Sequence, residues 1–115
     1  METQPVTLGY WALRGLGERV RLILEYTNLP YTQEIFTAEA PEKWFNDRKP
    51  ELIKKNPAIN LPFLIDGDKV ISESNTLMIY VAHRSGKKEL LGRNFDEQLN
   101  ITTVEGVCKG LHQEF

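Results

Sequence analysis

The sequence predicts a small α/β domain, a strand–helix–strand unit followed by a β-hairpin and a helix, giving a mixed sheet with helices on its faces. Three observations predict it. A β-branched and aromatic run, "VTLGYW", leads through a glycine-bearing turn into a segment with apolar residues at helical spacing. The stretch "NLPFLIDGDKVISESN" alternates apolar and polar residues on either side of an Asp-Gly pair, the pattern of a half-buried hairpin. Directly after it, "TLMIYVA" supplies an apolar helix core.

Taken in order, Val6 to Trp11 follow Pro5 and suit a short strand. Leu16, Val20, Ile23, Leu24 and Thr27 then fall on one helical face, and Asn28 and Pro30 mark its stop. "YTQEIF" reads as a second strand, and a strand–helix–strand order allows a parallel pair with a right-handed crossover. Residues 37 to 59 hold three prolines and many charges, and read as an irregular connection with short helices around 41 to 48 and 51 to 55. The hairpin follows, then a helix over "ESNTLMIYVAHRSG" with Ser72 as its N-cap and Gly86 as its stop. That helix is apolar nearly all round, so one face meets the sheet and the other needs a further cover. "KKELLGRNFDEQL" leads to a last helix capped by Asn94 or Asp96, which carries Thr pairs and two glycines that each cost up to ~1 kcal/mol relative to Ala.

A chain of 115 residues is about one domain. With 41% hydrophobic and 26% charged residues it is globular in composition, and no apolar run approaches the ~18 residues of a membrane span. A net charge of −2 gives no general attraction to nucleic acid. The opening "METQPVTLGYW" lacks the pattern of a secretory or transit peptide, so the cytosol is the expected compartment, with an organellar place inside an assembly left open. A single cysteine, Cys108, excludes an internal disulfide, a CxxC redox pair and a cysteine zinc cluster; no metal site is expected. His83 and His112 stand apart without companions and read as non-catalytic, as does Cys108.

The βαβ–ββα order with a proline before the third strand is the thioredoxin-like arrangement. "LGYWALRGL", "NLPFLIDG" and "SESNTLMIYVA", in this order and spacing, closely resemble the N-terminal glutathione-binding domain of glutathione transferases, most like the mu class. The resemblance runs over about residues 5 to 92. It implies a thioredoxin-like domain over residues 1–92, with residues 93–115 as a truncated helix stub opening an otherwise missing all-helical domain. It further implies glutathione as co-substrate or ligand, and commonly a dimer.

Carried onto matching positions, the resemblance makes Tyr10 the catalytic residue, donating its hydroxyl to the glutathione sulfur. The physics agrees: a free thiol near ~8.5 is only a few per cent thiolate at pH 7, and one charge-assisted hydrogen bond of ~1.5–3 kcal/mol lowers its pKa by about two units. Trp11 and Leu16 join the binding set by the same resemblance. Leu61, extended because it precedes Pro62, can present its backbone N–H and C=O to a peptide-like ligand as a strand edge does, with Asn60 beside it. The resemblance implies a cis bond at Pro62.

Glu73 and Ser74 fall in the first turn of the apolar helix, where free N–H groups attract anions; Ser74 then takes the γ-glutamyl carboxylate and Glu73 its ammonium. Mu-like sequences usually carry Gln at the position of Glu73. Trp44 and Arg48, four apart, match a Trp and Lys that bind the glycyl carboxylate in the family, and Arg48 would do so with a bidentate fork. In mu-like enzymes an acidic residue on the first helix of the second domain reaches the neighbour's glutathione, and Gly110 falls there. Two readings stay open: a transferase that activates the glutathione thiolate toward electrophiles, or a non-catalytic transferase-like module that docks into a larger assembly.

Overall fold

The computed structural model describes the backbone of residues 4–114, with side chains as far as Cys108, so His112 lies outside the side chains described. Four strands, β1 (Val6–Trp11), β2 (Tyr31–Phe36), β3 (Phe63–Asp66) and β4 (Lys69–Ser72), form one sheet in the order β2-β1-β3-β4. Strand β2 runs parallel to β1, while β3 and β4 are antiparallel neighbours. Helices α1 (Gly15–Thr27) and α3 (Ser74–Arg84) pack on one face. The other face carries a π-helical turn over Lys43–Arg48 that runs into the four-residue α2 (Lys49–Leu52). A 3₁₀ turn over Lys88–Leu91 leads to α4 (Phe95–Glu114). Fold class and the order of elements along the chain are those the sequence predicts.

Alternation along the strands builds two cores. Val6 and Leu8 of β1, Leu64 of β3, Val20, Ile23 and Leu24 of α1, and Leu77 and Val81 of α3 fill the first. On the opposite face, Phe36, Trp44, Leu52, Ile59 and Phe63 form an aromatic second core, with Trp11, Ile65 and Val70 against it. Gly9 is required between them: a Cβ there would lie 2.1 Å from the Phe63 ring, which crosses the backbone of β1.

The stretch from 43 to 52 is one continuous helical segment rather than two short helices. Lys49 N–H bonds to Trp44 O, five residues back, just ahead of Pro50. Pro50 has no N–H, and its ring would crowd a carbonyl four residues back, so a wider turn accommodates it. The hairpin turn places Gly67 at φ +61°, with Asp66 and Lys69 paired across it. Asp66 also ties the hairpin to α3, accepting from the Tyr80 hydroxyl and from Arg84 Nε at 3.0 Å. Burial and the Asp66 carboxylate push the Tyr80 phenol up to about 12.

Of the two caps considered for α4, Asn94 is used: its side-chain oxygen accepts from Glu97 N–H at 2.9 Å. Glu97 reaches back to the Arg93 backbone N–H and guanidinium, which hold its carboxyl down to about 2. Ile79 on α3 remains exposed, as the apolar patterning of that helix anticipates, and so do Phe95, Leu99, Val104 and Val107 on α4. Among the described residues no helix is long and apolar enough to cross a membrane.

Candidate functional site: the ends of β1 and β4 and the entrance to β3

Strand directions bring the predicted residues to one edge of the sheet. Register pairs Gly9 with Phe63 and Phe63 with Ser72, so the end of β1, the entrance to β3 and the exit from β4 stand side by side. Tyr10, the Leu61–Pro62 dipeptide and Glu73–Ser74 meet there. The Leu61–Pro62 bond is cis.

Tyr10 is 8% exposed and folds back over the start of α1. Leu16 N–H donates to its hydroxyl oxygen at 3.0 Å. A phenol can accept and donate at once, so this contact leaves the Tyr10 proton available to another acceptor. Arg21 lies over the Tyr10 ring at 5.8 Å, and its guanidinium holds the loop by donating to Leu13 O at 3.0 Å. Gly15 and Gly17 make this geometry possible. A Cβ at Gly17 would stand 2.4 Å from the Tyr10 ring, and Gly15, at φ +43°, would put one 2.4 Å from the hydroxyl. The sequence signal was present in "RGLG", but nothing in it says which side chain the glycines receive. Gly17→Ala is therefore expected to destabilise the chain by about 1–3 kcal/mol, because overpacking against the ring outweighs the ~1 kcal/mol that alanine gains in a helix. Urea unfolding of the variant measures it.

Ser72 does not cap α3. Its hydroxyl accepts from Asn60 N–H at 3.0 Å and donates to Asn60 O at 2.9 Å, with Pro62 O at a longer 3.4 Å. It thus clamps the hairpin's entrance to its exit and is the residue that sequence reasoning misplaced. It is buried and pairs with Phe63 at the end of β4, a placement that its contacts with Asn60 and Pro62 fix and that its sequence neighbours do not.

The cap position of α3 is Glu73, at φ +77° and ψ 122°, with no side-chain cap hydrogen bond. A non-glycine residue there carries backbone strain of order 1–3 kcal/mol. The first-turn N–H groups of α3 are left without a side-chain acceptor, the condition for receiving an anion. Ser74 is 3% exposed, and Arg19 of α1 donates to Asn75 Oδ1 at 3.0 Å beside it.

Three predicted residues stand differently from expectation. Leu61 N–H is not free: Asn60 Oδ1 accepts from it at 2.9 Å. Asn60 is exposed, so a ligand carbonyl can replace that amide at the cost of one rotamer change. Trp44 has 0% exposure, with its indole stacked on Phe63 at 5.7 Å and edge-on to Phe36 at 5.4 Å, so it is a core residue beneath the site and presents no face to a ligand. Arg48 has spent its fork: Nε and Nη2 donate to Glu34 of β2 at 2.9 and 2.8 Å, and Nη1 donates to Glu51. Glu34 raises the guanidinium pKa further, so no accessible pH releases it. Sequence spacing predicted a free Arg48 because its partner Glu34 lies fourteen residues away on a strand.

Trp11 is half-buried between Phe36 and Phe45 and lines a groove of about 380 Å³ with Leu13, Ala38 and Pro41. Leu16 lines a second groove, about 390 Å³, between α1 and α4, together with Arg19, Glu105 and Cys108. Cys108 is exposed, and His83 is exposed at the far end of α3. Among the described residues there is no cluster of three metal-ligating side chains.

The family model for the glutathione S-transferase N-terminal domain matches residues 6–83. The chain is 37% identical to human glutathione S-transferase Mu 5, an alignment covering 96% of this chain and 50% of that one. It is 40% identical to a glutathione S-transferase of Mesocricetus auratus over 88% of this chain and 46% of the other. The chain thus spans about half the length of the relatives it matches. Its fold superposes on the glutathione S-transferase of Ascaris lumbricoides with a TM-score of 0.72 at 25% identity, over 97% of this chain and 49% of that one. A glutathione transferase homologue from Sulfitobacter, solved with bound glutathione, superposes at 0.61 with 24% identity over 78% of this chain and 41% of that one. With the family model covering all four strands and, but for the last residue of α3, both helices of its first face, the chain belongs to the glutathione S-transferase family through its N-terminal domain.

Proposed function

We propose that this chain binds glutathione at the edge formed by Tyr10, Leu61 and Glu73–Ser74 and stabilises its thiolate for attack on an electrophilic carbon. The observation that carries the reading is the Tyr10 hydroxyl, which accepts from Leu16 N–H at 3.0 Å and so keeps its own proton free to donate to a thiolate. The peptide pairs with the Leu61 backbone once Asn60 gives way, and its γ-glutamyl end meets Glu73 and the uncapped first turn of α3. Tyr10 donates to the sulfur; the thiolate's electron pair forms the C–S bond, and the leaving group departs with its own pair.

The reading takes residues 1–92 as the glutathione-binding part and residues 93–115 as the opening of a helical part that completes the electrophile's pocket. Gly110 on α4 supplies no side chain for a contact to a second subunit, so any dimer would lack the acidic contact expected of mu-like enzymes. A second reading, a non-catalytic docking module, draws on the exposed apolar side chains Leu22 and Tyr26 of α1 and Phe95, Leu99 and Val107 of α4.

Glu73→Gly tests the binding site. Glycine relieves the strain at φ +77° and costs about 0.5–1 kcal/mol of chain entropy, so stability is unchanged or rises by about 1 kcal/mol. Loss of the carboxylate weakens glutathione binding about tenfold. Calorimetric titration of the 115-residue chain, beside urea unfolding, reads both. A variant that binds as well as the parent would remove Glu73 from the site.

A further inference from the structure

The two edges of the sheet differ. Strand β4 is four residues long and opens on Lys69, and Asn56 Nδ2 occupies its Val70 carbonyl at 3.0 Å, so this edge is short, charged and capped against further pairing. Strand β2 is six residues of high strand propensity, "YTQEIF", in unbroken register with β1, and it carries no proline, lysine or bulge. Pro30 O accepts from Val6 N–H at 3.0 Å and Phe36 O from Ala12 N–H at 2.7 Å, so the even-numbered residues of β2 turn their backbone groups toward β1. Tyr31, Gln33 and Ile35 therefore point their N–H and C=O groups away from the sheet. Among the described residues nothing pairs with them.

An antiparallel copy of the strand fits this edge on a two-fold axis beside Gln33. In that register Gln33 faces its own counterpart and Tyr31 faces Ile35 of the copy, so all the outward groups are satisfied at once. Ile35, 56% exposed, gains cover from the copy's Tyr31 as an aromatic and β-branched pair. Gln33 Oε1 accepts from Arg21 Nε at 2.9 Å, which leaves an Nε2 donor and a second acceptor lone pair, the two groups that an identical amide returns. Charge does not oppose the approach: Glu34, the strand's charged residue, is held by Arg48 at 2.8 Å, and Arg21 by Glu18 at 3.6 Å. We propose that the outer edge of β2 is a homodimer interface, where a second copy of this chain extends the sheet by antiparallel β2 pairing. Because β1 runs parallel to β2, the Tyr10 ends of β1 then stand at opposite ends of the joined sheet, and pairing covers neither glutathione site. The contact is smaller than the ~1,200 Å² of stable complexes, so a dissociation constant of about 10–100 μM is expected.

Sedimentation velocity of the 115-residue chain between about 1 μM and 1 mM tests this. The parent is expected to pass from the monomer mass toward twice that mass without any ligand. Ile35→Lys puts a charge on the edge and should weaken association at least tenfold, with the circular dichroism of the parent retained. Cross-linking on a Cys108→Ser background reads the register. Air-oxidised Gln33→Cys should give a disulfide-linked pair, since residues facing each other in a hydrogen-bonded pair have Cα atoms ~5.5 Å apart, whereas Ile35→Cys, roughly 14 Å from its counterpart, should not. A dimer that Ile35→Lys leaves as tight as before, or equal cross-linking at both positions, overturns the assignment. A parent that stays monomeric at about 1 mM overturns it too and leaves the edge to an extended peptide of another protein.

Discussion

Replacing Tyr10 by Phe is expected to raise the thiol pKa of bound glutathione by about two units. The Tyr10 hydroxyl is anchored by Leu16 N–H at 3.0 Å and lies close to Gly15, with its ring held against Gly17, so it is aimed before any ligand arrives and pays no reorganisation when charge develops on sulfur. A shift of two units corresponds to ~2.7 kcal/mol of preferential thiolate stabilisation, within the range of one strong charge-assisted hydrogen bond. At pH 7 a thiol near ~8.5 is about 3% ionised and one near ~6.5 about three-quarters ionised, so the variant should hold roughly twentyfold less thiolate. Ultraviolet absorbance of the thiolate, titrated against pH in the complex, measures this directly. The variant leaves the Leu16 N–H without its partner at a half-exposed position, a cost of about 1 kcal/mol in stability that urea unfolding can separate from the effect on the thiol. An unchanged thiol pKa would assign Tyr10 to packing alone.

Trp44→Ala is expected to destabilise the chain by about 3–5 kcal/mol, a large share of the 5–15 kcal/mol typical of a domain. The indole has no exposed surface and stacks between Phe36 and Phe63, so its removal opens a cavity at the centre of the second core. The measurement is the urea midpoint, with the slope of the transition unchanged. The same experiment distinguishes core from ligand contact: a tryptophan that served the ligand at the surface would cost little stability and much affinity. Phe63 follows Pro62 directly, so a softened aromatic core should also loosen the entrance to β3, and any loss of glutathione affinity should follow the loss of stability.

The fold was legible because its signals are local. "VTLGYW" and "NLPFLIDG" alternate with a period of two that the register confirms, and the α1 face from Val20 to Thr27 is buried as its spacing requires. The three-motif order was enough to place Tyr10, Leu61 and Glu73 at one edge. What escaped depends on contacts between distant segments. Arg48 pairs with Glu34 across fourteen residues, and the spacing of the helical segment carries no trace of it. Ser72 reads equally well as a helix cap or a strand residue; only its three contacts with Asn60 and Pro62 decide. Asn60 was expected near the ligand, but its occupation of Leu61 N–H is a choice of rotamer, which sequence does not encode. Nothing in the sequence around Gly9 and Gly17 shows that the rings of Phe63 and Tyr10 occupy the space beside them.

The central claim is that this sheet edge is a glutathione site, and calorimetric titration of the 115-residue chain with glutathione tests it most directly. The account predicts saturable binding with one site per chain, at micromolar to low millimolar affinity, accompanied by proton release at pH 7 as the thiol ionises. No saturable heat up to about 10 mM glutathione, or binding that Tyr10→Phe and Glu73→Gly both leave unchanged, would contradict it.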